Sequence, residues 1–304
     1  MKSAILFTAA VVIALLVVFN CGPKSPTDSG ETGFAVHEWG VLVGCSGEPT
    51  GFITSRPEYA AMAREPVIYF HKQDKTPFSV RAVFRQGEPT MTYPAAQIAG
   101  DTVIWDRVDY EPWTRSGAGL DTSNFVPLED IIDELNDVDA DLLYIGGYSA
   151  RFLFYEGMMP SITSVVTTLL DDDSSLVLQN TGDYTVYDIT YSAVTGQLSP
   201  FLPTTGYVDS LAAGQTDTIH IIYGQTVSFQ GQLERLGFTE AEAGAFEILW
   251  ETSFYESASS VAAAGNLIYR IPQSVYDGLI SLEVDPQPEE IIRTLYVLNH
   301  IYDN

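Results

Sequence analysis

A histidine and a glutamate stand side by side in the apolar run Gly33–Val43. A carboxylate in such a run has to be solvated, paired with a cation or used in a reaction. Imidazole and carboxylate are also the groups that most often act as general acids and bases or as zinc ligands. Glu38 and His37 are therefore the candidate catalytic residues, and His71 is a candidate metal ligand that would line a site with one of them.

The spacing of these two residues limits what they can do together. The run has the composition of a strand, in which neighbouring side chains point to opposite faces. Alternation places Glu38 with Phe34, Val36 and Leu42, and it places His37 with Trp39 and Val41. One metal cannot easily be shared by the two. The preferred interpretation is structural: His37 bonds to backbone, and Glu38 is buried against an arginine, for which the candidates are Arg81, Arg107 and Arg151.

Two groups of aspartates suggest calcium. Asp171 and Asp173 fall in one, and Asp137–Asp141 forms the other. Alternate oxygen ligands at this spacing occur in calcium loops, but the Asp137–Asp141 group lacks the glycine and distal glutamate of an EF-hand, and the Asp171–Asp173 group is a turn between strands. In a chain this acidic such clusters also arise without any ion, so ordinary turns are preferred and no cofactor is predicted.

Charge and motifs exclude several classes of function. Without its first twenty residues the 304-residue chain has 13 basic against 40 acidic residues, a formal net charge of −27. Such a surface repels nucleic acid and attracts cations. The sequence contains no phosphate-binding glycine loop, no His-Glu-x-x-His, no Cys-x-x-Cys and no Gly-x-Ser-x-Gly motif.

The N-terminus predicts export. Residues 1–20 are a signal peptide with Lys2 followed by an apolar run, and residues 21–32 form a polar tether. Cys21 after the apolar run resembles the lipidated cysteine of bacterial lipoproteins, although Val18-Phe19-Asn20 departs from the usual preceding residues. Gly22 does not match the inner-membrane retention signal, which favours the outer membrane. A secretory signal or an uncleaved anchor is the alternative, and a Cys21–Cys45 disulfide is then conceivable.

Hydrophobic patterning predicts an α+β fold that is mostly β. Residues 33–160 form a β-rich domain, with strands such as Phe34–Val43 and Phe78–Arg85 and one helix near Pro127–Leu135. Residues 161–225 have the rhythm of a β-sandwich. Residues 226–304 form an α+β segment, a helix hairpin with three strands, that we expect to pack on the first domain. Its second helix begins at a capping box, Thr239-Glu-Ala-Glu242.

Several segments resemble a family of exported proteins of environmental bacteria that has no assigned function. The resemblance spans most of residues 33–300, which implies one integrated unit, and it implies no catalytic residues. The segments that carry it are Val36–Val41, Pro66–His71, Tyr93–Ala95, Arg151–Gly157, Gly237–Ala243 with Trp250 and Phe254, and Leu267–Pro272.

Two hypotheses of function follow. The first is a lipid-anchored cell-envelope protein that acts in binding or surface assembly, with a protein or glycan partner at the envelope. The second is an extracytoplasmic hydrolase or metal-dependent enzyme centred on Glu38 and His37. They differ in whether Glu38 opens onto a pocket or is enclosed against an arginine.

Overall fold

A nine-stranded sheet forms the centre of the fold. The computed structural model describes residues 33–45, 66–110, 129–159, 162, 164–169, 175–193, 204–223, 226–255 and 263–302. The strands of this sheet are β1 (Phe34–Cys45), β2 (Val67–Lys72), β4 (Glu88–Tyr93), β9 (Phe152–Met158), β12 (Val186–Ala193), β13 (Thr204–Leu211), β15 (Ile222–Tyr223), β16 (Ala263–Ile271) and β18 (Glu290–Tyr302). Their order is β15-β13-β12-β16-β18-β1-β2-β9-β4. β1 is an interior strand, parallel to β18 and antiparallel to β2.

Two smaller sheets and four helices make up the rest of the described structure. One sheet contains β3 (Phe78–Phe84), β5 (Gln97–Ala99), β6 (Thr102–Tyr110), β7 (Leu143–Ile145), β8 (Tyr148–Ala150) and β17 (Ile280–Asp285). The other contains β10 (Val165–Leu169), β11 (Ser175–Asn180) and β14 (Thr216–His220). The helices are α1 (Glu129–Asn136), α2 (Phe229–Leu236), α3 (Glu240–Tyr255) and α4 (Gln273–Leu279).

Successive residues of β1 enter two different hydrophobic cores. Phe34, Val36 and Leu42 belong to a core that the central sheet shares with the two smaller sheets. Trp39 and Val41 belong to a core that it shares with α1, α2 and α3. Because both faces of the strand are covered, its sequence apart from His37 and Glu38 is apolar instead of alternating with polar residues. The alternation predicted for Glu38 and His37 is confirmed.

Short-range hydrogen bonds define the ends of the two helices nearest the site. The Ser228 side chain accepts a hydrogen bond from the Gly231 N–H at 3.0 Å at the start of α2, and Gly237 ends that helix with a left-handed φ of 105°. In α3 the predicted capping box forms: the Thr239 N–H donates to Glu242 Oε2 at 2.8 Å, and the Glu242 N–H donates to Thr239 Oγ1 at 3.2 Å. These caps place the first turn of α3 beside the central sheet.

The predicted fold class is confirmed, since strands make up 56% and helices 19% of the described residues. Strands from all three predicted segments share the central sheet, for example β2, β12 and β18, and Thr32–Asn304 is one compact unit. Prediction missed α4 and the short strands β4, β5, β7 and β8. Among the described residues, no helix combines the length and apolar character needed to span a membrane.

Gly157 generates the first testable prediction. A Cβ at this position of β9 would lie 2.5 Å from the Glu88 carbonyl oxygen and would also strike the Phe84 ring. We expect Gly157→Ala to lower the free energy of unfolding by about 1–3 kcal/mol in denaturant titration. Gly244→Ala is the matched control, because nothing lies within 4 Å of its added Cβ. That helical change should raise stability by about 0.5–1 kcal/mol. Equal stability of Gly157→Ala and wild type would contradict the packing.

Candidate functional site

The carboxylate of Glu38 is fully enclosed, with 0% of the residue exposed. Its Oε2 is paired with Arg293 Nε. Its Oε1 accepts hydrogen bonds from the hydroxyls of Tyr155 and Tyr276, the latter at 2.6 Å. Both carboxylate oxygens are thus engaged by protein side chains on β9, α4 and β18. A buried carboxylate held in this way is a structural group, and neither oxygen is presented to a substrate.

Arg293 is itself held on several sides. Its Nη1 donates to Asp277 Oδ1 at 2.6 Å and to the Ile280 carbonyl at 2.8 Å, and its guanidinium carbon lies 4.1 Å from the centroid of the Tyr276 ring. The parallel pairing of β1 and β18 makes Glu38 and Arg293 Cα partners. Strand register therefore places the charge pair, and the surrounding residues fix its orientation.

Burial and charge keep the groups around Glu38 in their donating forms. Desolvation, followed by the negative charge of Glu38, raises the pKa of Tyr155 and of Tyr276 well above its usual value. For Arg293 desolvation acts to lower the pKa, but the charge of Glu38, the two tyrosines and the hydrogen bond to Glu38 together outweigh it, and the pKa is raised. The tyrosines stay protonated and the arginine stays charged.

The arginine that neutralises Glu38 was not among the three candidates. Arg107 is exposed and pairs with Asp109, Arg151 donates to the Ala140 carbonyl, and Arg81 is exposed on β3. Those three assignments were wrong, because the partner depends on a strand pairing between residues 255 positions apart. No local pattern in the sequence reveals such a pairing.

A second cluster forms on the other face of β1. His37 Nδ1 lies 2.8 Å from Glu242 Oε2, and His71 Nε2 lies 2.9 Å from Glu242 Oε1. The two imidazole centroids are 4.8 Å apart, and the Phe238 ring meets the His37 ring edge-on at 5.6 Å. The cluster joins β1, β2 and α3. The prediction that His37 bonds to backbone was wrong, because the partner of His37 is the Glu242 side chain.

The carboxylate of Glu242 is buried, and its pKa is set by the histidines. Burial raises that pKa, but the hydrogen bonds and charges of His37 and His71 together outweigh burial and lower it to about 2. Burial lowers the pKa of His71, and the hydrogen bond and charge of Glu242 raise it by more. Glu242 is therefore a permanent anion between two imidazoles, and the His71 side chain is 26% exposed at the edge of the cluster.

The cluster has the donor atoms of a metal site. His37, His71 and Glu242 each offer one ligand atom, and these atoms lie within 4.8 Å of one another. In the described ranges no other set of three such residues converges in this way. Sequence reasoning brought forward His37 and His71 but assigned Glu242 only as a helix cap. The capping box could have indicated Glu242 as a site residue, because a capping-box glutamate points back from the start of its helix, and here that direction is towards the sheet.

The other candidate residues take different positions. Cys21, Asp171 and Asp173 lie outside the described residues. In the second aspartate group, Asp141 Oδ2 accepts the Lys72 backbone N–H at 2.7 Å, and Asp141 Oδ1 pairs with Lys75. That carboxylate is neutralised by the protein itself, which removes one oxygen donor from the calcium interpretation.

The two remaining histidines lie elsewhere. His220 is exposed on β14 and its Nδ1 is 3.2 Å from Ser175 Oγ. His300 is 4% exposed, and its Nδ1 is 2.8 Å from Asn266 Oδ1. The Asn266 amide in turn donates to the carbonyls of Phe254 and Ser253 at the end of α3. Burial lowers the pKa of His300, so the folded protein favours its neutral form.

Comparisons with known proteins identify no relative by sequence. No family model and no curated protein matches the chain. Among solved structures, the yeast delta-COP-I mu-homology domain aligns over 90% of this chain and 99% of its own, with a TM-score of 0.32 and 6% identity. At that TM-score the likeness carries no argument about fold or function.

The enclosure of Glu38 predicts a large cost for removing its cation. Arg293→Met leaves a buried carboxylate without its cation, and we expect the free energy of unfolding to fall by about 3–5 kcal/mol. The double variant Glu38→Gln/Arg293→Met should recover much of this loss, because a neutral amide needs no counter-charge. Arg81→Met, at an exposed arginine, should stay within about 0.5 kcal/mol of wild type. Wild-type stability of Arg293→Met would refute the ion pair.

His300 predicts a pH effect of definite sign. Because its pKa is lowered in the folded state, the unfolded chain takes up the proton first as pH falls. The stability that His300 contributes is complete above an unfolded pKa of about 6.5, and it is lost as pH falls from there towards the folded value. The stability of wild type relative to His300→Gln should therefore decrease between about pH 7.5 and about pH 5.5. A difference that does not change with pH would contradict this.

Proposed function

We propose that the chain is an exported, lipid-anchored protein of the cell envelope, with the outer membrane favoured, and that it acts in binding or surface assembly. The choice of binding over catalysis rests on the burial and hydrogen bonding of Glu38. A catalytic role would require this residue to be accessible. It is fully buried, and both of its oxygens are engaged by Arg293, Tyr155 and Tyr276. Its carboxylate holds secondary-structure elements together.

The anchor is supported by the sequence order at the N-terminus. A charged and apolar export segment is followed directly by Cys21, and a polar tether separates that cysteine from the first strand. The compact unit begins at Thr32, where the predicted tether ends. A lipidated cysteine on a tether of this length would hold the folded unit close to a membrane surface without any spanning helix.

The alternative, an extracytoplasmic hydrolase or metal-dependent enzyme centred on Glu38 and His37, loses its main support. A general base or ligand needs an oxygen within reach of the reacting group. Glu38 has no exposed surface, and His37 lies on the opposite face of β1 in the core beneath the helices. The two side chains therefore cannot act on one substrate.

Replacement of Cys21 tests the anchor. Cys21→Ser should move the protein from the membrane fraction to the soluble fraction and abolish incorporation of a labelled fatty acid, because the serine hydroxyl cannot form the thioether to the lipid. Cys45→Ser is the matched control and should keep both properties, since that residue lies within β1. Membrane association and acyl labelling that persist in Cys21→Ser would overturn the anchor.

A further inference from the structure

We propose that His37, His71 and Glu242 form a binding site for a divalent transition-metal ion, with Zn²⁺ as the ion that the donor set fits best. The inference rests on the proposed binding function, for which it names a ligand, but it does not require the lipid anchor. The inference is based on three side chains, one each from β1, β2 and α3, whose metal-ligating atoms lie within 4.8 Å of one another.

The present separations are those of hydrogen bonds, and a tetrahedral ion requires different ones. In a zinc site with metal–ligand bonds of about 2.0–2.1 Å, ligand atoms are about 3.3 Å apart. His37 Nδ1 lies 2.8 Å from Glu242 Oε2 and His71 Nε2 lies 2.9 Å from Glu242 Oε1, whereas the three ligand atoms of the set lie within 4.8 Å of one another. Binding of an ion therefore requires the side chains to turn until all three donor atoms face it.

The donor types select the class of metal. Two imidazoles with one carboxylate form a common catalytic and regulatory zinc set, and they also suit copper, nickel and cobalt. Calcium and magnesium prefer six or more oxygen ligands, and this cluster offers at most the two oxygens of Glu242. The acidic surface, with a formal net charge of −26 for the whole chain, raises the local concentration of any cation.

The surroundings hold the ligands in place before any ion arrives. The Thr239 N–H donates to Glu242 Oε2 and thereby fixes the carboxylate, and the Phe238 ring packs against His37. Glu242 is completely buried, whereas the His71 side chain is 26% exposed. Since Oε2 already accepts the capping hydrogen bond, we assign Oε1 as the metal-binding oxygen, and His37 Nδ1 must turn towards the ion from its present contact with Oε2. The open side at His71 gives the ion a path and leaves a fourth position for water or a partner's side chain.

A hydrogen-bonded cluster without metal is the competing explanation, and titration distinguishes the two. The untagged full chain, purified in detergent and treated with a chelator, is titrated with ZnCl₂ by calorimetry, and its metal content is measured after dialysis. We expect one Zn²⁺ per chain. Co²⁺ should bind at the same stoichiometry with the visible absorption of a four-coordinate ion, and added Zn²⁺ should displace it. Absence of stoichiometric binding of either ion would overturn the site.

Variants locate the ion. His71→Ala and Glu242→Gln should each weaken Zn²⁺ binding at least about 100-fold. That factor is the upper limit of the loss expected when a residue only hydrogen-bonds to a metal ligand and does not bind the ion itself. Glu242→Gln is the sharper test, because glutamine retains the capping-box acceptor and helix α3 keeps its start. His220→Asn, at an exposed histidine outside the cluster, should bind as wild type does.

Two further measurements distinguish loss of the metal site from loss of the fold and from loss of the lipid anchor. Circular dichroism of each variant shows whether the fold is intact, and the partly exposed position of His71 makes His71→Ala the least disruptive change. Wild-type affinity in both His71→Ala and Glu242→Gln would overturn the assignment even if zinc binds somewhere on the chain. Cys21→Ser should bind Zn²⁺ normally, so failure of the anchor and failure of the metal site give different results.

Discussion

Neutralisation of the Glu38 carboxylate is the constraint on which the described structure depends. A charge with no access to water must be matched by a cation and by hydrogen bonds to its remaining lone pairs. Arg293 supplies the cation from β18, and Tyr155 and Tyr276 supply the donors from β9 and α4. A single side chain thus requires four elements, from three distant parts of the sequence, to be in place at once. Replacement of such a network by apolar residues can be neutral for stability, so its distinctive effect is on which arrangement forms.

The same strand serves both sides of the central sheet, because residues alternate along it. One face of β1 carries Glu38 into the core between the sheets, and the next residue carries His37 into the core beneath the helices. The register between β1 and β18 places Glu38 opposite Arg293, and a slip of one residue would exchange the two faces of β1. The position of His37 opposite Glu242 therefore depends on the same register as the charge pair behind it, although the two clusters share no side chain.

Local chemistry could be predicted from the sequence, and long-range pairing could not. The strand at Phe34–Val43, helix α2 and the Thr239–Glu242 capping box depend on residues within a few positions of one another, and all three occur. The need of Glu38 for an arginine was also predictable from burial. Its identity was not, because Arg293 reaches Glu38 through a parallel pairing that no local pattern encodes. Helix α4 was missed because Pro272 reads equally well as the end of a strand and as the start of a helix.

Glu242 shows how one residue can meet two demands that sequence reasoning treats separately. As the third residue of α3 its carboxylate satisfies the Thr239 N–H, which any capping-box glutamate does. Because α3 begins directly above the sheet, the same carboxylate also reaches His37 and His71. The capping bond uses one oxygen and restricts the rotation of the other. A ligand held in this way loses little conformational entropy when an ion binds, so the helix start both places and preorganises the site.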